Sequence, residues 1–181
     1  MRGIYQLNNA AAALAALELL SDSGYHSAES DLRRGLAEAG WPGRLELLRK
    51  KPLLIMDGAH NPASMEKLSK ALPHYFKYRR LILVIGMLAD KDTAAMLKHI
   101  MPLSDAIIFT RPVLPRAASP ADIAAFAVSH FALDKEHYII EDYGRALEKA
   151  LDLAAPEDAV LVTGSLYTVS DVRAYWQKAY A

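Results

Sequence analysis

The sequence predicts a doubly wound α/β domain, a mostly parallel sheet with an antiparallel edge strand. Two observations predict it. Short apolar runs without polar alternation recur at Leu53–Met56, Leu81–Ile85, Ala106–Phe109, Tyr138–Ile140 and Ala159–Val162, which is the pattern of strands buried on both faces. Helical patterns separate these runs, and repeated strand–helix alternation is how a sheet covered on both sides is written in sequence.

Taken in order, Ala10 to Leu20 is rich in the best helix formers. Ser27 is placed to cap a second helix, with Glu29 and Asp31 in its first turn and Ala28, Leu32, Leu36 and Ala39 along one stripe. Gly40-Trp41-Pro42-Gly43 then interrupts the helical pattern and marks a domain boundary. Arg44–Arg49 alternates as an edge strand would, and Lys50-Lys51-Pro52 turns it back into Leu53–Met56. Helices are expected at Pro62–Leu72, Thr93–Ile100, Pro120–Phe131, Tyr143–Ala155 and Val169–Tyr180.

The chain has 181 residues and is 52% hydrophobic, enough for one domain with a small appendage. There is no cysteine, which excludes disulfides and thiolate metal sites and is compatible with a reducing compartment. Lys+Arg and Asp+Glu both number 21, so no global basic field points to nucleic acid. No apolar strand-like run approaches the roughly 20 residues of a membrane helix. The alanine-rich stretch Ala10–Leu17 follows the polar run Gln6-Leu7-Asn8-Asn9 and reads as a helix, not as a secretory signal. A cytoplasmic setting is expected, with no membrane partner.

Ligands of open parallel sheets bind outside the carboxyl ends of the strands, and the residues at each strand exit can be read off. They are Asp57-Gly58-Ala59-His60-Asn61-Pro62, Gly86 to Asp92, Thr110-Arg111-Pro112 with Pro115-Arg116, Glu141-Asp142, and Thr163 to Thr168. Loops entering helices need glycines and capping residues in any case. The first loop exceeds that need. Asn61 is a good N-cap and Pro62 a good first helical residue, whereas capping requires neither Asp57 nor His60. Asp57 follows four apolar residues, where a carboxylate is costly unless it is paired or opens into a crevice. His60 precedes a helix N-terminus, whose positive end suits a neutral imidazole beside an anionic, phosphorylated group. Lys91 between Asp90 and Asp92 reads equally well as a solvated charge cluster, and Arg111 and Arg116 alone prove nothing. The other histidines, His26, His74, His99, His130 and His137, are scattered singly. The segment around Ser165 is not a Gly-x-Ser-x-Gly elbow, and no phosphate loop, Gly-x-Gly-x-x-Gly, His-Glu-x-x-His or EF-hand motif occurs.

Six segments in this order carry a resemblance: Gln6-Leu7-Asn8-Asn9-Ala10-Ala11, Trp41-Pro42-Gly43-Arg44, Asp57 to Pro62, Gly86 to Asp92, Thr110-Arg111-Pro112 and Thr163-Gly164-Ser165-Leu166-Tyr167. Together they resemble the C-terminal part of the folylpolyglutamate synthases, in bacteria often bifunctional dihydrofolate synthases, of the Mur ligase superfamily. The resemblance spans essentially the whole chain. It implies a Rossmann-like fold of the Mur ligase C-terminal domain type over 41–181, with 1–40 as the last helices of a central ATPase domain. It also implies ATP-dependent amide ligation, in which a carboxylate of dihydropteroate or of a folate's terminal glutamate is phosphorylated and the amine of L-glutamate attacks the acyl phosphate.

Residue by residue, Asn9, Arg44 and Asp57 match the family's C-terminal-side ATP contacts, Arg44 near the phosphates or adenine nucleotide and Asp57 toward the ribose. His60 matches a histidine linked to catalysis. Lys91 matches a position that in related Mur ligases helps to hold the incoming amino acid's carboxylate, and Ser165 falls in a segment associated with glutamate binding and catalysis. The chain departs from the family at Tyr5, which stands where a histidine is usual. The phosphate loop, the Mg2+ ligands and most of the folate site of full-length members are absent from it, so a fragment inactive on its own is expected. Two rival readings remain: a ligase domain serving peptidoglycan precursors, and a stand-alone α/β module that binds a nucleotide without chemistry.

Overall fold

The computed structural model describes Gly3 and residues 5–180; the ends of the expected 1–40 and 41–181 units, and Ile4, lie outside the described residues. Two helices come first, α1 (Tyr5–Ser21) and α2 (Glu29–Glu38). The elements that follow are β1 (Glu46–Lys50), β2 (Leu53–Met56), α3 (Pro62–Tyr75), β3 (Leu81–Ile85), α4 (Thr93–Ile100), β4 (Ala106–Phe109), α5 (Pro120–Phe131), β5 (Glu136–Ile139), α6 (Tyr143–Leu153), β6 (Ala159–Thr163) and α7 (Leu166–Tyr180). The sheet order is β1-β2-β6-β3-β4-β5. Only the β1–β2 pair is antiparallel. The doubly wound sheet with its antiparallel edge is the one the sequence implies.

Alternate residues of each central strand enter different cores. Ile55, Leu83, Ile85, Ile107 and Leu161 pack with α3, α4 and α5 through Met65, Leu68, Leu97, Ile100 and Ile123. Leu54, Met56, Val84, Ile108 and Val162 pack with α6 and α7 through Leu147, Val169, Val172 and Trp176. Chain direction explains the division. From β2 to β5 each crossover steps the same way, apart from the slot later filled by β6, and α6 then carries the chain back. Right-handed crossovers in opposite directions put their helices on opposite faces. Each fully buried Leu, Ile or Val side chain contributes roughly 1.5–3 kcal/mol.

The main differences from the sequence expectation fall in β5, α2, α1 and α7; β1 also starts at Glu46, which leaves Arg44 in the preceding turn, α3 runs on to Tyr75 and α6 stops at Leu153. β5 begins two residues earlier than the run Tyr138–Ile140 and is largely exposed, with Ile139 at 51%. It pairs with β4 alone, so its apolar residues are not enclosed on both faces. Ser27 is not a cap; Ala28 takes the N-cap position of α2 without a side-chain bond. α1 starts at Tyr5, five residues before the alanine run. α7 starts three residues before Val169, because Ser165 caps it, its Oγ accepting from the Thr168 N–H at 3.0 Å.

The end of the sheet opposite the strand exits is stapled by Asp158. Its backbone carbonyl receives Leu53 N–H at 3.0 Å, and its carboxylate receives Arg79 Nε at 3.1 Å and Ala155 N–H at 3.0 Å. Burial pushes this carboxyl upward, but the Arg79 and Ala155 hydrogen bonds prevail and hold it below the usual carboxylate range. A depressed carboxyl stabilises the fold above its unfolded value and loses that contribution as pH falls through the folded one. Asp158→Asn should therefore lower stability by about 1–2 kcal/mol at pH 7, a figure reduced for the exposed Arg79 partner. The deficit should shrink below about pH 4, read by urea unfolding at both pH values.

Candidate functional site

Asp57 leaves β2 with its N–H still in the ladder, donating to Val162 O at 3.0 Å. Its side chain is 3% exposed. Oδ2 accepts the Leu45 N–H at 2.9 Å and Oδ1 accepts the Ala59 N–H at 3.0 Å. Burial raises this carboxyl above its ordinary value, opposed by those two N–H groups and, less strongly, by Arg44 and the Tyr5 hydroxyl. The Tyr5 phenol is pushed up to about 12, first by burial and next by the Asp57 charge.

Asp57 thereby joins its own loop to the segment before β1. That segment is unusually bent: Gly43 has φ 70° and Leu45 φ 45°, so Arg44 sits between two left-handed residues. For Leu45 this conformation costs about 1–2 kcal/mol. Gly43 O accepts the Gly58 N–H at 2.8 Å, closing the two segments together. A Cβ on Gly58 would stand 2.2 Å from Leu166 Cδ2, so the Leu166 side chain would have to shift to admit one.

Beyond Gly58 the loop becomes the start of α3. Asn61 Oδ1 accepts the Ser64 N–H at 2.8 Å and Ser64 Oγ closes a capping box, as expected of Asn61-Pro62. His60 Nδ1 lies 2.9 Å from Gly58 O. A carbonyl only accepts, so Nδ1 carries hydrogen and a neutral His60 keeps its lone pair on Nε2.

These segments and α1 enclose a cleft of about 620 Å³ lined by Tyr5, Gln6, Asn9, Trp41, Arg44, Asp57, Asn61, Ala63, Ser64, Lys67 and Leu166. It lies where β2 and β6 are neighbours while their following helices, α3 and α7, go to opposite faces, the kind of crevice in which open α/β sheets bind ligands. Arg44 has no acidic partner within ion-pair distance among the described residues. The cleft thus brings together Asn9, Arg44 and Asp57. It also holds Tyr5, Trp41 and Lys67, to which sequence reading gave no binding role. The spacing of Ala63, Ser64 and Lys67 along one face of α3 is the signal that points to Lys67.

The remaining expected residues lie elsewhere along the same edge. Lys91 Nζ bonds Asp90 at 3.1 Å, and Asp92 caps α4 through the Ala95 N–H. Arg116 stands 5.8 Å over the Tyr167 ring and Arg111 pairs with Glu141 at 3.3 Å. Ser165 is 1% exposed and its hydroxyl is shared between the Thr168 N–H and Thr168 Oγ1. Thr168 Oγ1 in turn bonds Gly86 O at 3.0 Å, and a Cβ on Gly164 would stand 2.6 Å from that same carbonyl. The exits of β3 and β6 are therefore packed tightly against each other. Among the described residues no group of three His, Asp or Glu could hold a metal ion. Among the described residues no helix is long and apolar enough to cross a membrane.

Comparison with known proteins agrees with this fold. Residues 43–166 match the family model described as "Mur ligase, glutamate ligase domain". The dihydrofolate synthase/folylpolyglutamate synthase of Bacillus subtilis is 34% identical over 94% of the chain and 39% of its own length. The structure of Mycobacterium tuberculosis folylpolyglutamate synthase complexed with ADP and AMPPCP superposes with a TM-score of 0.85 at 30% identity, over 96% of this chain and 40% of that one. That of Escherichia coli FolC in complex with DHPP and ADP gives 0.82 at 33%, over 96% and 39%. The chain spans about two fifths of the length of these relatives. It belongs to the Mur ligase family, through the glutamate ligase domain.

Proposed function

We propose that the chain is the C-terminal part of an ATP-dependent folate:L-glutamate amide ligase, a folylpolyglutamate synthase that is also a dihydrofolate synthase in the bifunctional form. The observation that carries this reading is the cleft: three residues far apart in sequence, Asn9, Arg44 and Asp57, share one opening in a chain whose relatives are such ligases. The cleft serves the nucleotide. Arg44 supplies the cation for its phosphates, since it forms no ion pair with a carboxylate of the described residues. Asp57 has lone pairs left for ribose hydroxyls after its two backbone bonds, and Asn9 presents an amide from α1.

In the reaction, ATP phosphorylates the carboxylate of dihydropteroate or of a folate's terminal glutamate, releasing ADP. The amine of L-glutamate attacks the acyl carbon, phosphate leaves, and the amine loses a proton as the amide forms. His60 contributes its free Nε2 to this step, Lys91 holds the incoming glutamate's carboxylate, and Ser165 acts in glutamate binding and catalysis through the loop it organises. The phosphate loop and the Mg2+ ligands belong to a preceding ATPase domain. Support for that comes from α1 and α2, neither of which buries a residue, while Leu7, Leu19 and Leu20 are exposed at 68%, 72% and 46%. A partner domain would cover these side chains. A cytoplasmic setting, where ATP is available, goes with this reading.

In the full-length ligase, Arg44→Ala should raise KM for ATP by about tenfold or more, the value of a charged hydrogen bond. His60→Ala should lower kcat by about a hundredfold. Glutamate incorporation measured beside circular dichroism reads both, and unchanged rates in folded variants would leave the loop a purely structural role. The 181-residue chain alone should not hydrolyse ATP; steady phosphate release from it would contradict the division of labour.

A further inference from the structure

Arg44 owes its position to a turn that two further residues hold. Glu46 Oε2 accepts the Gly43 N–H at 2.8 Å. Arg173 Nε, on α7, reaches both Glu46 oxygens at 3.1 and 3.0 Å. The pair is half-buried, with side chains 26% and 19% exposed, so it is shielded from solvent more than a surface ion pair is. The same face of α7 touches the turn twice more. A Cβ on Gly43 would stand 2.9 Å from Val169 Cγ1, and one on Gly58 would strike Leu166. Leu166, Val169 and Arg173 follow the i, i+3, i+7 spacing of a single helical stripe, and that stripe lies against Gly43 and Gly58. Three backbone atoms of the left-handed turn are thus fixed from outside it: Gly43 N–H by Glu46, Gly43 O by Gly58, and Leu45 N–H by Asp57. Arg44 is the residue this bracing leaves free.

We propose that Glu46 and Arg173 are positioning residues for the nucleotide, Glu46 holding the Gly43–Leu45 turn so that Arg44 faces the cleft and Arg173 bracing Glu46 from α7. The proposal rests on the ligase reading only in taking Arg44 as a nucleotide contact. Neither residue lines that cleft; both are placed to act through Arg44.

The test is ADP affinity by calorimetry in the full-length ligase, with unfolding temperature as companion readout. Glu46→Ala should weaken ADP about tenfold, while Glu46→Gln, which keeps an acceptor for the Gly43 N–H, should stay within about threefold of the wild type. Arg44→Ala with Glu46→Ala should bind no more weakly than Arg44→Ala alone, because two residues acting through one contact are not additive. If Glu46→Ala fails to fold, Arg173→Met carries the same test, with a loss of about three- to fivefold. Wild-type affinity in a folded Glu46→Ala or Arg173→Met protein overturns the proposal, as does full additivity with Arg44→Ala. A wild-type enzyme that binds ADP but joins no glutamate to a folate contradicts the ligase reading and leaves this one standing; one that binds no ADP overturns both.

Discussion

The structure turns on a buried carboxylate held by two backbone N–H groups. Asp57 lies one residue past the end of β2, still buried, and its oxygens reach Leu45 on one side and Ala59 on the other. Removing a carboxylate from water costs several kcal/mol. Two charge-assisted bonds of roughly 1.5–3 kcal/mol each offset part of that, with the Arg44 charge adding to them, although burial still leaves the carboxyl raised. The exchange is local, but its consequence is not. It ties the strand exit to a turn that would otherwise relax from its left-handed residues, and it leaves the flanking arginine aimed outward.

That bond also explains why the cleft forms at one end of the sheet. The opposite end is closed by Asp158, whose bonds join the starts of β2 and β6 and the segment before β3. At the carboxyl end the helices diverge to either face, and Gly86 and Gly164 let the loops after β3 and β6 approach closely, a Cβ on Gly164 standing 2.6 Å from Gly86 O. Stability and chemistry are thereby assigned to opposite edges. The sheet is the rigid body between them.

Much of this was legible beforehand. The four central strands are visible because burial on both faces demands unbroken apolar runs, and Asn61-Pro62 announces its helix by capping chemistry alone. Asp57 was legible as a carboxylate needing a partner, though not as a staple to Leu45, since the donor is a backbone N–H that any residue could supply. β5 misled because an edge strand of Glu136, His137, Tyr138 and Ile139 keeps an apolar tail without enclosing it. Ser27 had the right chemistry one residue too early. Glu46 and Arg173, 127 residues apart, leave no local signal; only the fold brings them together. Tyr5, visible in the sequence merely as a departure from a family pattern, turns out to face the central carboxylate. Ser165 illustrates the reverse, a residue singled out for chemistry whose hydroxyl is engaged in capping α7.

Hydrogen exchange at the Leu45 amide, followed in wild type and Asp57→Ala with Ile55 as internal reference, tests the central interaction most directly. If the carboxylate holds the turn, Leu45 is protected in the wild type and exchanges at least about tenfold faster in the variant, while Ile55 in the β2 ladder stays protected in both. Equal exchange at Leu45 in the two proteins would contradict it.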